Sequence, residues 1–86
     1  MSVADPVVRA AKDKAAEIER EALRQEIRNR LVQLKKLTEL GITGGLGDSL
    51  EHVNRKIRRF NELAPDEPQA LPVTEENFVS QIRRWE

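Results

Sequence analysis

Apolar residues recur at intervals of three and four along most of the chain, which is the spacing of one face of an α-helix. The pattern is clearest in the middle of the sequence, where one apolar seam continues without a gap. That seam consists of Leu46, Leu50, Val53, Ile57, Phe60 and Ala64. It predicts a helix over about residues 48–63, with Asp48 and Glu51 as a capping box at its start and Pro65 beyond its end.

The first half of the chain predicts a single long helix. No glycine or proline lies between Pro6 and Gly41, so the helix is expected over about residues 6–40. Asp5 suits the cap before a proline at the first helical position, and Gly41 suits the left-handed position after the last turn. The short glycine-rich turn 41–47 makes the two helices antiparallel neighbours. The sequence therefore predicts an all-α fold built on a helical hairpin.

The apolar stripe of the first helix changes face halfway along. The N-terminal stripe consists of Val8, Ala11, Ala15, Ile18 and Ala22, and the second stripe consists of Leu23, Ile27, Leu31, Leu34 and Leu37. At 100° per residue the two stripes lie roughly 120° apart, so one partner helix cannot cover both. The second stripe matches the second helix in length. The first half is therefore expected to extend past the hairpin by ~25 Å and to pack on the C-terminal helix, on another chain or on nothing.

The C-terminal region predicts a proline-containing linker over residues 64–73 and a short helix over about residues 74–86. Phe78, Ile82 and Trp85 follow one another at i, i+4 and i+7, so they share one face of that helix. Two interpretations stay open. The helix packs on its own chain or on a dimer mate, or it is a tethered amphipathic peptide that docks in the groove of a partner.

The size of the chain favours self-association. Its 86 residues suffice for one domain, and chains this small often need a partner or a staple. Two helices bury their apolar seams only partly. The sequence therefore predicts a homodimer, arranged as a four-helix-type bundle. The candidate dimer or docking residues are Val8, Ala11, Ala15, Ile18, Ala22, Phe78, Ile82 and Trp85.

The net charge of zero conceals an uneven distribution. Residues 27–61 carry eight cations against three anions, a balance of +5, whereas residues 62–86 carry a balance of −4. The candidate binding residues of the basic region are Arg28, Lys35, Lys36, Arg55, Lys56, Arg58 and Arg59. The simplest interpretation is a solvated surface, and the alternative is a surface that grips the phosphate backbone of a duplex nucleic acid.

Catalytic and metal-binding motifs are missing from the sequence. The chain has no cysteine and one histidine, His52, which follows Asp48 and Ser49 in the first turn of a predicted helix, where Asp and Ser act as caps. The glycine-rich turn follows a helix and lacks the lysine of a phosphate-binding loop. Catalysis, a cofactor and a metal site are therefore not expected.

A signal peptide and a membrane-spanning run are also missing. We expect a cytoplasmic, non-enzymatic protein that binds another macromolecule. A protein partner is the favoured interpretation, and duplex nucleic acid is the alternative.

Overall fold

The computed structural model describes the chain from Asp5 onward and its side chains from Lys14 onward. The described residues form three α-helices and no strand: α1 (Asp5–Glu39), α2 (Leu46–Glu62) and α3 (Phe78–Trp85). The all-helical prediction is confirmed.

Two helix starts differ from the predicted ones. The helix α2 begins at Leu46, with Gly45 at its N-cap (φ 79°) and no side-chain cap. Asp48 therefore lies inside the first turn, where its negative charge interacts favourably with the helix dipole, and it does not cap the helix. The helix α3 begins at Phe78, later than the predicted start near residue 74. Thr74 and Asn77 close a separate turn first, in which the Thr74 N–H donates to Asn77 Oδ1 at 2.7 Å.

The end of α1 follows the predicted glycine stop. Gly41 adopts φ 80°, and its N–H donates to the Thr38 carbonyl oxygen at 2.9 Å. The Ile42 N–H donates to the Leu37 carbonyl oxygen at 2.8 Å, which completes a Schellman motif. This motif terminates α1 and turns the chain back toward it.

Three side-chain contacts show that α2 runs back along α1. Arg30 Nη2 lies 3.4 Å from Ser49 Oγ, Lys56 Nζ lies 2.8 Å from Glu26 Oε2, and Arg59 Nε lies 2.9 Å from Glu19 Oε2. The α1 numbers fall as the α2 numbers rise, so the two helices are antiparallel. The contact of Arg59 with Glu19 marks where α2 ends on α1.

The predicted linker is an ordered part of the packing. Asn61 Nδ2 donates to the Ala70 carbonyl oxygen at 3.0 Å, and the Ala70 N–H donates back to Asn61 Oδ1 at 2.9 Å. Asn54 forms the same pair with Val73, at 2.9 and 2.7 Å. Asn54 and Asn61 are seven residues apart on a helix, and Ala70 and Val73 are three residues apart in an extended segment, so each pair is separated by about 10 Å. The two side-chain amides are therefore spaced to bind the backbone groups of both linker residues.

The linker and α3 complete a core to which α1 and α2 contribute the first part. The buried residues come from all four segments: Ile27, Leu31, Leu34, Leu46, Leu50, Val53, Ile57, Phe60, Ala70, Val73, Phe78, Ile82 and Trp85. The rings of Trp85 and Phe60 pack edge to face, with their centroids 4.9 Å apart. Arg24 Nη1 donates to the Trp85 carbonyl oxygen at 2.8 Å. The second α1 stripe therefore packs against both α2 and α3.

The N-terminal part of α1 extends beyond this core. Both α2 and α3 cover the stretch of α1 that begins near Arg20, because Arg20 Nε donates to the Phe60 carbonyl oxygen and Arg24 contacts the end of α3. We call residues 5–22 of α1 the arm. The part of the arm that precedes Arg20 is roughly 20 Å long. The principal extents of the molecule, 61 × 20 × 17 Å, reflect this projection. The expectation that the C-terminal helix could cover the arm is not met in the structure, since α3 packs farther along α1.

Candidate functional site

The arm presents an uncovered apolar stripe. Ile18 is 64% exposed, and Ala15 and Ala22, one turn to either side, are also exposed. Val8 and Ala11 continue the stripe by sequence spacing, but their side chains lie outside the described residues. Single exposed apolar side chains are common, whereas a continuous apolar face on a projecting helix is typical of a protein contact surface.

The direction of the stripe follows from helix geometry. Ile18 precedes the fully buried Ile27 by nine residues, which at 100° per residue places the two side chains about 180° apart. Among the arm residues whose side chains the structure describes, Ala16 and Arg20 point in the core direction, and neither is a large apolar residue. The described part of the arm therefore adds no apolar seam to the core, and Ile18 faces away from it.

Charged residues flank the stripe on both sides. Lys14 and Glu21 lie on one side, and both are exposed. Glu21 also pairs with Arg24 of its own helix at 2.6 Å. On the other side Glu19 and Glu26 accept from Arg59 and Lys56 of α2. One flank of the stripe is thus paired with α2, and the other carries one cation and one anion a heptad apart, of which Glu21 pairs within its own helix.

The Arg59–Glu19 pair is the strongest electrostatic contact between α1 and α2. Arg59 donates two hydrogen bonds to the Glu19 carboxylate, at 2.9 and 3.1 Å. The hydrogen bond from Arg59 lowers the pKa of Glu19 below its usual value of 4.5, and the same bond raises the pKa of Arg59. Both groups are solvent-exposed, so the pair orients the end of α2 on α1 more than it stabilises the fold.

Several of the basic candidates are paired with carboxylates of the same chain. Three of the four on α2 have a carboxylate within 4 Å: Arg55 with Glu51, Lys56 with Glu26, and Arg59 with Glu19. These pairs lower the positive charge that α2 offers to a phosphate backbone.

The other four candidates are dispersed. Arg58 lies beside the linker, Lys35 lies beside α3, and Arg28 contacts Asn29. Lys36 follows Lys35 and is exposed on another side of α1. These four candidates thus have different neighbours in the structure.

The three C-terminal candidates belong to the core of their own chain. Phe78, Ile82 and Trp85 are 2%, 7% and 1% exposed. They present no surface to a partner in this structure, because α3 packs this face on α1 and on Phe60. The interpretation of α3 as packed on its own chain is the one that the structure shows.

Chemically active groups do not converge in the described part of the chain. His52 is exposed and lines an open groove between α1 and α2 with Glu26 and Lys56, which pair with each other. Among the described residues no group of three His, Cys, Asp or Glu side chains could hold a metal ion. None of the described helices combines the length and the apolar character that crossing a membrane requires.

Comparison of the chain with protein-family models, with curated proteins and with solved structures found no significant match. The candidate site therefore depends on the geometry of the chain itself. Its main feature is the stripe on the arm, three of whose five predicted residues the structure describes.

Sequence reasoning missed four half-buried polar residues that hold segments of the chain together. Asn54 and Asn61 hold the linker, and Arg20 and Arg24 join the base of the arm to α2 and α3. A signal was present for the first pair, because two asparagines seven residues apart beside an apolar seam lie on the same helix face. Their partners are backbone groups of a distant segment, which no side-chain pattern identifies.

Proposed function

We propose that this chain is a non-enzymatic helical interaction protein that acts as a homodimer and binds another macromolecule, a protein. The observation that carries the proposal is the exposed apolar stripe at Ile18 on an arm that extends beyond the core. An apolar helix face of this kind fits a partner helix with a matching face, as in helix-in-groove and coiled-coil recognition.

The dimer contact in this proposal lies on the arm. A four-helix-type bundle formed by two hairpins would use the α1–α2 face that the linker and α3 cover, where Val73 and Trp85 are nearly inaccessible. Among the described residues, the exposed large apolar side chains are Ile18, Leu40, Ile42, Leu71 and Val79. Ile18 is the one that shares a helix face with other exposed apolar residues, Ala15 and Ala22, so we place self-association there. The core can then fold within one chain, and dimerisation serves assembly.

The mass in solution tests this proposal. Light scattering on the wild-type chain at micromolar concentration should report twice the chain mass of 9.8 kDa. Ile18→Asp should reduce the mass to that of one chain, because it places a charge in the centre of the contact. Circular dichroism and the fluorescence of Trp85 should be unchanged, since Ile18 does not touch the core. A monomeric wild-type chain would contradict the proposal.

Duplex nucleic acid stays the alternative partner. The observation in its favour is the balance of +5 over residues 27–61, since cations that neutralise phosphates supply sequence-independent affinity. The carboxylate partners of Arg55, Lys56 and Arg59 reduce that charge. The arm therefore supports a protein–protein contact more strongly than α2 supports nucleic-acid binding.

A further inference from the structure

The arm has the residue spacing of a coiled-coil strand. Ala15 and Ala22 are seven residues apart, and Ile18 and Gln25 repeat the same interval three residues later. If the two alanines are assigned to heptad position a, Ile18 and Gln25 occupy position d, and all four are exposed. Small side chains at position a let two helices approach closely, while Ile18 supplies the apolar volume at the centre.

The flanking charges distinguish between the possible partner helices. Lys14 and Glu21 occupy successive g positions, and Glu19 and Glu26 occupy successive e positions. In an antiparallel pair g positions face g positions across the seam, whereas in a parallel pair g faces the e position five residues later. The same four residues therefore give different charge contacts in the two orientations.

We propose that the occupant of the arm stripe is the arm of a second copy of this chain, packed antiparallel so that Ala15 of one arm lies level with Ile18 of the other. This inference rests on the proposed function, because it specifies the geometry of that homodimer. Lys14 of each chain then lies opposite Glu21 of the other, and the two-fold symmetry makes this attractive pair occur twice. Ala22 lies level with position 11, so the apolar layers continue outward from the centre.

Charge selects this register over its neighbours. Sliding the second arm by one heptad in one direction places Lys14 opposite the second Lys14, and sliding it in the other direction places Glu21 opposite the second Glu21. Like charges that face each other across a helix pair are destabilising. Of these three alignments, only the proposed one places Lys14 and Glu21 of each arm opposite a residue of the opposite charge.

Charge also favours the antiparallel orientation. In a parallel dimer Lys14 would face Glu19, which is attractive, but Glu21 would face Glu26, which is repulsive. Glu19 and Glu26 accept from Arg59 and Lys56 of their own chain, and Glu21 likewise accepts from Arg24, so the preference for the antiparallel orientation comes from the repulsion between Glu21 and Glu26 in the parallel one. Lys14 is exposed, and it has no carboxylate within 4 Å among the described residues, so it is available to a second chain.

Charge reversal tests the register. Lys14→Glu and Glu21→Lys should each weaken the homodimer by roughly tenfold or more, because each converts two attractive pairs into two repulsive ones. The double variant should regain the wild-type dissociation constant. An equimolar mixture of the two single variants should form a heterodimer preferentially, since each facing pair of g positions then joins one glutamate and one lysine. Sedimentation velocity or native mass spectrometry measures both quantities.

The matched control is Glu17→Lys, which makes the same charge change on the same arm at a position outside the a, d, e and g seam. Its dissociation constant should stay within about twofold of wild type. Glu21→Lys also removes the contact with Arg24, so each variant is melted at a concentration where it is monomeric to show that the core is intact.

The outcomes separate the two proposals. A tighter dimer of Glu21→Lys would indicate the parallel orientation and overturn the inference. In a second outcome, Ile18→Asp dissociates the wild-type dimer, but Lys14→Glu and Glu21→Lys form no preferential heterodimer. This result would overturn the register and keep the arm as the site of the dimer contact. A monomeric wild-type chain would overturn the proposed function as well.

Discussion

At the scale of single residues, neighbouring positions of α2 have opposite environments. Ile57 is 1% exposed and packs in the core, whereas Arg58 is exposed beside it. We expect Ile57→Asp to unfold the protein, because it places an unpaired charge among apolar side chains and removes a buried one, at a cost of about 4 kcal/mol or more. Thermal unfolding by circular dichroism measures the effect.

Arg58→Asp is the control for this experiment. It makes a larger change of charge one position along the same helix, and it should alter the free energy of unfolding by only about 0.5 kcal/mol. Equal losses of helicity in both variants would contradict the assignment of the two faces of α2.

The Arg59–Glu19 pair gives a second prediction at this scale. The folded-state pKa of Glu19 lies below its usual value of 4.5 because Arg59 hydrogen-bonds to the ionised form. The contribution of the pair to stability is therefore present above pH 4.5 and is lost as the pH falls through the lowered pKa. Titration by nuclear magnetic resonance should show the lowered pKa in wild type, and Arg59→Gln should return it toward 4.5. An unchanged pKa in the variant would mean that Arg59 is not its cause.

At the scale of elements, the linker depends on two asparagine side chains. Asn54→Ala would leave the N–H and carbonyl groups of Val73, which is 2% exposed, without their partners. Leaving buried backbone groups unpaired costs about 1–3 kcal/mol, and chemical denaturation should report a loss of that size. Asn29→Ala, at an exposed position of α1, should change stability by less than about 0.5 kcal/mol. Similar losses in the two variants would show that the linker is not held in this way.

The packing of α3 gives the second prediction at this scale. Trp85 is 1% exposed, and its indole Nε1 is buried without an acceptor in the described part of the structure. Trp85→Ala should cost about 3–5 kcal/mol, because it leaves a large cavity beside Phe60. Trp85→Phe should cost clearly less, since it keeps most of the apolar volume and removes the unpaired donor.

Val79→Ala is the control on the same helix, because Val79 is 45% exposed. It should have little effect on the free energy of unfolding. An unchanged melting curve for Trp85→Ala would instead identify α3 as a segment that does not support the fold.

At the scale of the whole molecule, the distribution of charge bears on the choice of partner. Because three of the four α2 cations have carboxylate partners, we expect no saturable binding of a short duplex RNA or DNA at micromolar protein and ~50 mM salt. Fluorescence anisotropy of a labelled duplex measures this. Binding with a log–log salt slope near −0.9 per duplex-DNA phosphate would favour the alternative function.

A triple variant shows whether any such binding uses the basic face of α2. If the face binds a duplex, replacement of Arg55, Arg58 and Arg59 by glutamine should abolish the binding. The same variant should keep its helicity, because all three side chains are exposed. Binding that survives the replacement would come from another surface.

The sequence by itself determined that the chain is helical and where α1 and α2 lie, whereas the predicted start of α3 near residue 74 was wrong, because the helix begins at Phe78. Periodicity alone located α1 and α2 to within about two residues, because a buried seam requires apolar residues at the helical repeat and a glycine in the left-handed conformation ends α1 at Gly41. It also predicted that the stripe with Ile18 lies on a different face of α1 from the second stripe, roughly 120° away, since that follows from the angle per residue.

Only the tertiary structure decided which element covers which face. The sequence left α3 free to pack on the arm, on a partner or on its own hairpin, because Phe78, Ile82 and Trp85 fit any apolar groove equally well. The order of the linker depends on side-chain amides that meet backbone groups nine and nineteen residues away, and such pairs leave no periodic signal. The pairing of the basic residues likewise depends on which carboxylates lie near them in space, as Glu26 and Glu19 of α1 do for Lys56 and Arg59 of α2.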